Sequence, residues 1–535
     1  MSLRIPPWLA IIAAWLLINT AISFHNIWPT PWITVRPELS VEAAFAVLFV
    51  IFASRRDRLT GPVAACLTAA IMLLAAGRYM EVTAPALYGR AINLYWDARH
   101  LPAVVAMIAD GASPWTLLAG GSAIALGVAA IYLALRRAVL TIGAAQSQRP
   151  LIGWLCVGVI CTYMLGYLAS FGPILRWYAI PVTQTYLRQV EFIAQAMAGS
   201  GAAEQLPHAD PLSEWHWSRP ATPADVFVVF VESYGAVAYD ADEVAAEVEP
   251  HRADFAAAVA AAGGEIASAF VTSPTFGGVS WLAHSSFMTG IDVTDSGVYN
   301  ALLTQQRETL ADRFDMAGFR TVALMPGLRG DWPEGSFYGF DRIYGERDID
   351  YGGPEFGWWR IPDQFALARF GAAELDQPQR PPVLLFFPTI NTHMPFRPTP
   401  PYQPNWQKLL GPSPFEPTML DAMITSRPSL TDLRPAYADA LSYTFDYLGG
   451  FLGQRADRDW LLLVLGDHQP PASVAGAQAR WDVPVHVAAS DRNFLEPFVA
   501  RGFVHGSKPA PSPVARTHEL GGALLEALGA THDSH

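Results

Sequence analysis

The residues best placed to do chemistry stand far apart in the second half of the chain. They are Glu232 at the end of VFVVFVES, Ser280 in TFGGVSWLAHSSFMTG, and Asp467 and His468 in WLLLVLGDHQPP. A carboxylate, a hydroxyl and an Asp-His pair are what a metal-assisted phosphoryl or sulfuryl transfer site needs. Glu232 and Asp467 each follow directly on an apolar run, where an unpaired charge is costly and a bound cation removes the cost. One such carboxylate alone would be read as a helix cap or an arginine partner; a Glu and an Asp-His pair, both at strand ends, point to a shared ion. Ser280 follows the Gly-rich stretch FGGV and opens a segment with the composition of a short helix ending at Gly290. A serine there is an ordinary N-cap. The same position is also a phosphate site, because free amides and the helix dipole favour negative charge. Coordination to a metal would lower the pKa of the hydroxyl and supply a nucleophile without a separate base.

These groups need a scaffold, and from Asp225 onward apolar strands alternate with helix-like stretches, the pattern of an α/β domain with a mostly parallel sheet. Strands are expected at 225–231, 265–271, 319–325, 382–388 and 460–465, and helices at 241–262, 280–289, 307–317, 361–370, 433–454 and 517–528. In open α/β sheets the reactive groups gather beyond the C-terminal ends of the strands. Glu232 and the Asp467-His468 pair fall there.

The first half is built differently. The chain has 535 residues, 51% of them hydrophobic, and residues 1–175 hold five apolar runs, about 7–24, 39–53, 61–77, 115–135 and 151–171. The expected architecture is an N-terminal five-helix transmembrane bundle followed by the α/β domain. With the N-terminus inside, Arg4, Arg55, Arg56, Arg58, Arg136, Arg137 and Arg149 lie in inner segments, and Arg36, Arg78, Arg90 and Arg99 in outer loops. That bias, with an odd number of spans, puts the second half outside the cytoplasm. A cleaved signal peptide over the first run would leave it on the same side. Residues 176–224 read as an aromatic interfacial helix followed by a linker, and 225–535 as the extracytoplasmic domain. The Tyr- and Trp-rich stretch between the third and fourth runs reads as a second interfacial segment or as a loop on the globular domain. A net charge of −13 disfavours a nucleic-acid partner. Cys66, Cys156 and Cys161 all fall in the apolar runs, so the exported domain has neither disulfides nor a catalytic cysteine.

Together these segments resemble the alkaline phosphatase superfamily, and within it the membrane-anchored, sulfatase-like branch of lipoteichoic acid synthases, phosphoglycerol transferases and phosphoethanolamine transferases. The resemblance covers essentially the whole chain and implies an alkaline-phosphatase-like fold for the second half. It implies a metal site made of Glu232, the nucleophile Ser280, Asp467 and His468, with serine where those transferases usually carry threonine. Sulfatases show a CxPSR run before LLTG; here SWLAHSSFMTG keeps the length from nucleophile to TG, which selects Ser280 over Thr275, Ser285 or Ser286, while the missing CxPSR residues argue against formylglycine chemistry. NTHMPF resembles a segment whose histidine contacts the headgroup, and this gives His393. LRGDWPEGSFYGF resembles a segment that supplies a Trp and an Arg to the headgroup pocket; Trp332 fits the first, Glu334 stands where the second would be, and Arg329 is a candidate substitute. His284 occupies the position of the sulfatase-motif arginine, facing the phosphate or packed in the helix. Asp363 reads as an N-cap, and His486, His505 and His518 as structural.

With this ligand set one divalent cation, Mn²⁺ or Zn²⁺, suits the site. The implied activity is transfer of a phospholipid headgroup, phosphoglycerol or phosphoethanolamine, through Ser280 to a hydroxyl of an envelope glycan or lipid. The implied setting is a multi-pass protein of the bacterial inner membrane with a periplasmic catalytic domain. The alternatives are a phosphodiesterase or sulfatase-like hydrolase with water as acceptor, and a non-catalytic envelope scaffold.

Overall fold

The computed structural model describes residues 6–532 apart from 29, 89–90, 99–100, 103–104, 106–108, 110–112, 146–147, 170–171, 199–201, 218–219, 331, 357–358, 378, 425–431 and 455–457. The chain divides into two compact units, Met1–Ala198 and Gly199–His535.

The first unit is helical. Its apolar runs become α1 (Pro7–Ser23), α2 (Val41–Arg55), α3 (Gly61–Tyr88), α4 (Pro114–Ala144) and α5 (Arg149–Leu168), followed by α6 (Val182–Ala198). Three stretches are long and apolar enough to cross a membrane: Gly61–Leu87, Pro114–Ala144 and Pro150–Leu168. Helices α1 and α2, with 17 and 15 residues, fall short of the ~20 residues a crossing takes. Of the five expected spans, three are matched by length and composition among the described residues, and α1 and α2 form shorter apolar helices at the other two. One correction concerns Arg78. It lies not in an outer loop but inside α3, where it is buried and donates from Nε to the Phe24 carbonyl at 2.7 Å. The proposed interfacial segment before α4 falls partly outside the described residues. In α4, Trp115, Leu118, Ile124 and Leu126 are exposed, as side chains facing lipid would be.

The second unit is built on a nine-stranded sheet. Its elements run β1 (Asp225–Val231), α7 (Asp242–Ala261), β2 (Glu265–Thr272), α8 (Ser280–Thr289), α9 (Leu310–Met316), β3 (Arg320–Leu324), β4 (Arg342–Tyr344), α10 (Asp363–Phe370), β5 (Val383–Pro388), α11 (Arg434–Leu452), β6 (Trp460–Gly466), β7 (Asp482–Ala489), β8 (Val504–His505), β9 (Pro513–Arg516) and α12 (Leu520–Ala527). The strand order is β8-β2-β7-β6-β1-β5-β3-β4, with β9 paired to β2. Strands β6, β1, β5, β3 and β4 are parallel to one another, and β7 is antiparallel to both β2 and β6. Two antiparallel steps in succession leave β2 parallel to β6, so β2, β6, β1 and β5 all end at one edge.

Strand β1 shows why the sheet sits in the middle. Alternate side chains of a strand face opposite sides, and here both sides are buried. Phe227, Val229 and Val231 join the core formed with α7, α10 and α11, while Val226, Val228 and Phe230 join the core formed with α8, α9 and α12. A strand covered on both faces reads as a continuous apolar run, as VFVVFV does. Residues 199–224, expected as a linker, are in part packed. Leu212 and Trp215 lie in the second core, and Trp215–His216 pairs with Thr531–His532.

Candidate functional site

The sheet register brings the acidic groups together. Val231 pairs with Gly466 across the parallel β1 and β6, so the residues that follow, Glu232 and Asp467, leave the edge side by side. Gly466 is required here, because a Cβ would lie 1.8 Å from the Tyr234 carbonyl oxygen. His468 comes next. Its Nδ1 stands 2.7 Å from the Gln469 carbonyl oxygen, which can only accept, so Nδ1 carries the proton. The bare Nε2 then faces Glu232 Oε1 at 3.4 Å and Asp467 Oδ2 at 3.6 Å.

Ser280 arrives from strand β2, which lies across β7 from β6. The loop after β2 is tied down by Ser273 Oγ, which donates to the Asp467 carbonyl at 2.5 Å, and by the Gly277 amide, which donates to the Gln469 carbonyl at 3.1 Å. The turn then passes through positive φ at Gly277, Gly278 and Val279, the last at φ 66°. A β-branched residue in the left-handed region is strained, and such strain persists where the surroundings over-determine it. Its effect is to begin α8 at Ser280 with the side chain aimed at the sheet edge. Ser280 is the first helical residue, and no side chain caps the helix. The hydroxyl instead donates to Glu232 Oε2 at 2.9 Å and lies 3.1 Å from His468 Nε2.

One atom each from Glu232, Asp467 and His468 lie within 4.8 Å of one another. Asp467 and His468 are buried and Glu232 is partly so. Burial and the Glu232 charge push the Asp467 carboxyl well above the usual range. Burial would raise Glu232 too, but His468 and then His393 more than offset it, and its carboxyl is lowered. Burial lowers His468, against the pull of Glu232. Asp467 Oδ2 is buried without a hydrogen-bond partner, and no Lys or Arg among the described residues pairs with either carboxylate. Two carboxylates, a hydroxyl and an imidazole lone pair converging on one point repel one another unless a cation or protons intervene. This donor set fits Mn²⁺ or Zn²⁺.

The remaining predicted residues are placed as follows. His284, one turn beyond Ser280, packs edge-on against Phe230 and Phe386, at 4.7 and 5.5 Å between ring centroids. Its Nε2 has no hydrogen-bond partner, and burial lowers its pKa to about 4. His284 and Trp332 both line a cavity of about 290 Å³ that Ser280 and Glu232 also border. His393, in the loop after β5, points Nδ1 at the Met394 carbonyl oxygen at 2.7 Å, and its charge bears on both Glu232 and His468. Arg329 is not part of the cavity lining; it pairs with Glu346 at 3.4 Å. Two residues are missed by the sequence reading. Thr389 accepts the Glu232 amide on Oγ1 at 3.1 Å. Asp363 is no N-cap: its carboxylate accepts the amides of Ile390 and Asn391 at 2.8 to 3.1 Å and so holds the base of the loop that carries His393. Burial raises Asp363 to about 7. His486 is structural as expected, bound to Ser268 Oγ at 2.7 Å and Tyr234 Oη at 3.0 Å.

The sulfatase family model matches residues 225–529, more than half of the chain. The chain belongs to the sulfatase family. This sulfatase-family chain also shares its overall fold with solved structures. The lipooligosaccharide phosphoethanolamine transferase A of Neisseria meningitidis superposes with a TM-score of 0.51 at 14% identity, over 98% of this chain and 96% of that one. The phosphoglycerol transferase GacH of Streptococcus pyogenes matches 62% of this chain and 80% of its own at 13% identity and a TM-score of 0.37. The periplasmic domain of EptC from Escherichia coli, in complex with Zn, matches 60% and 86% at 13% identity and 0.38. No curated protein sequence matches this one.

Proposed function

We propose that the protein is a metal-dependent transferase that moves a phospholipid headgroup through Ser280 to a hydroxyl of an envelope glycan or lipid. The observation that carries this reading is the position of the Ser280 hydroxyl, within hydrogen-bond distance of both Glu232 and His468 at the uncapped start of α8. Glu232, Ser280, Asp467 and His468 would hold one divalent ion, Mn²⁺ or Zn²⁺. The ion neutralises charge on the phosphate and lowers the hydroxyl pKa when bound.

The residues around it divide the work. Ser280 gives up its proton toward the Glu232 carboxylate it already touches and forms the new O–P bond. The O–P bond to diacylglycerol breaks, and that oxygen takes a proton from His393. The uncapped amides at the start of α8 and His284 face the phosphate oxygens. In the second half, the acceptor hydroxyl loses its proton to His393 and displaces Ser280, which recovers its own. A domain tethered to the membrane by residues 1–175, with 176–224 between them, reaches a lipid donor in the outer leaflet; the proposed location is the bacterial inner membrane with residues 225–535 in the periplasm. The exposed apolar side chains of α4 support the membrane half of this reading.

Labelled phosphatidylglycerol and phosphatidylethanolamine, offered to the purified protein with glycan and lipid acceptors, test the assignment. Label appearing on an acceptor is expected. Release of a soluble headgroup alone, with every acceptor tried, would make the protein a hydrolase.

A further inference from the structure

The cavity beside Ser280 is aromatic where the metal side is acidic. Six rings line it, Trp281, Tyr299, Trp332, Tyr338, Phe340 and Phe386, and no Lys or Arg does among the described residues. The rings pack on one another, with Trp332 stacked on Tyr338 at 5.4 Å and Phe340 on Phe386 at 5.7 Å. The phenol hydroxyls are already engaged: Tyr338 bonds Ser285 Oγ at 2.7 Å and also Tyr299. Thr389 is engaged as well, by the Glu232 amide. The polar lining left, Ser280, Glu232 and His284, sits at the phosphate end.

Away from the phosphate end such a pocket offers few acceptors, so a group with several N–H or O–H donors would pair poorly there. It suits a cation without donors, which gains from aromatic faces. Charge agrees. The Glu334 carboxylate is near enough to Tyr299 and Tyr338 to help push their phenols upward, after burial and, for Tyr299, after Tyr338. At about 290 Å³ the cavity is at the small end of ligand pockets, with room for a headgroup and not for a pair of acyl chains.

We propose that this cavity receives a quaternary ammonium group, so that the headgroup transferred is of the phosphocholine type. The inference rests on the phosphoryl-transfer reading of Ser280 and narrows its substrate. The Ser280 oxygen bonds to phosphorus as its proton passes to Glu232, the phosphorus–oxygen bond to the glycerol of the donor breaks, the departing oxygen takes a proton from His393, and the trimethylammonium end lies among the rings.

The test uses the full chain in vesicles holding equal amounts of phosphatidylcholine, phosphatidylethanolamine and phosphatidylglycerol, with the mass of the Ser280 peptide as readout. A parallel arm offers soluble glycerophosphocholine. Phosphocholine on Ser280 is expected from the vesicles. Phosphoethanolamine or phosphoglycerol in its place overturns the ammonium assignment and leaves the transferase reading standing. Phosphocholine from the soluble ester alone supports the cavity assignment and overturns the lipid donor. No adduct from any donor overturns both. Trp332→Leu should lower the preference for choline over ethanolamine by about threefold to tenfold, and Glu334→Gln should lower choline against glycerol by roughly threefold. Unchanged preferences in both variants would contradict the cavity assignment even with the nucleophile confirmed.

Discussion

The two ends of strand β1 both carry buried acid, and they solve its cost in opposite ways. At the start, Asp225 takes both nitrogens of the Arg380 fork at 2.6 and 2.7 Å and also accepts the Val383 amide. At the finish, Glu232 emerges beside Asp467, and the described residues bring no Lys or Arg, only two histidines and a serine. A structural carboxylate in a core comes with its own cation. A pair left without one, with Asp467 Oδ2 buried and unpartnered, is where a cation from outside is to be expected.

Substitutions can break this contrast, the largest first. Ser280→Ala removes the proposed nucleophile and leaves both ends of the strand intact, so turnover should fall on the order of 10⁴-fold while the melting temperature is unchanged; residual turnover within about tenfold of wild type would remove Ser280 from the mechanism. Arg380→Ala attacks the other end. It strands a buried Asp225, partly relieved by Arg458 at 3.8 Å, and should cost about 3 kcal/mol in denaturant unfolding without touching metal content. Equal stability would show that the pair at the start of the strand is not what keeps it buried. Arg329→Ala marks the small end of the scale. Its ion pair with Glu346 is partly exposed, so stability should change by about 0.5 kcal/mol or less and headgroup selection not at all. A change in selection would return Arg329 to the substrate site.

Much of the acidic end was legible in the sequence because each part is local. VFVVFVE and LLLVLGDH each spell a strand and the residue that leaves it, and Ser280 follows glycines and opens a helix. The sheet register then supplied what no local pattern shows, the pairing of Val231 with Gly466. Strand β7 was missed because Pro484 lacks an N–H and argues against a central strand, and because His486 interrupts its apolar alternation. In the fold, Pro484 sits opposite Phe270 and His486 is satisfied by Ser268 and Tyr234. The alternating Val483, Val485 and Val487 were the available signal. The aromatic cavity was invisible for another reason: its rings come from segments between Trp281 and Phe386 that share no spacing. The partner of Asp363 likewise lies in a loop 27 residues away, beyond any capping pattern. In the membrane half, apolar runs located the helices, but their lengths came from flanking residues, which carried α3 past Arg78 to Tyr88.

The contrast between the two ends of β1 reduces to whether the acidic finish holds a metal that the salt-bridged start does not affect. Elemental analysis of the purified full chain, run on wild type, Glu232→Ala and Arg380→Ala, tests it most directly. One Mn²⁺ or Zn²⁺ per chain is predicted in wild type and in Arg380→Ala, and loss of the ion from Glu232→Ala on dialysis, with affinity down at least about 100-fold. Undiminished metal in Glu232→Ala would contradict the account.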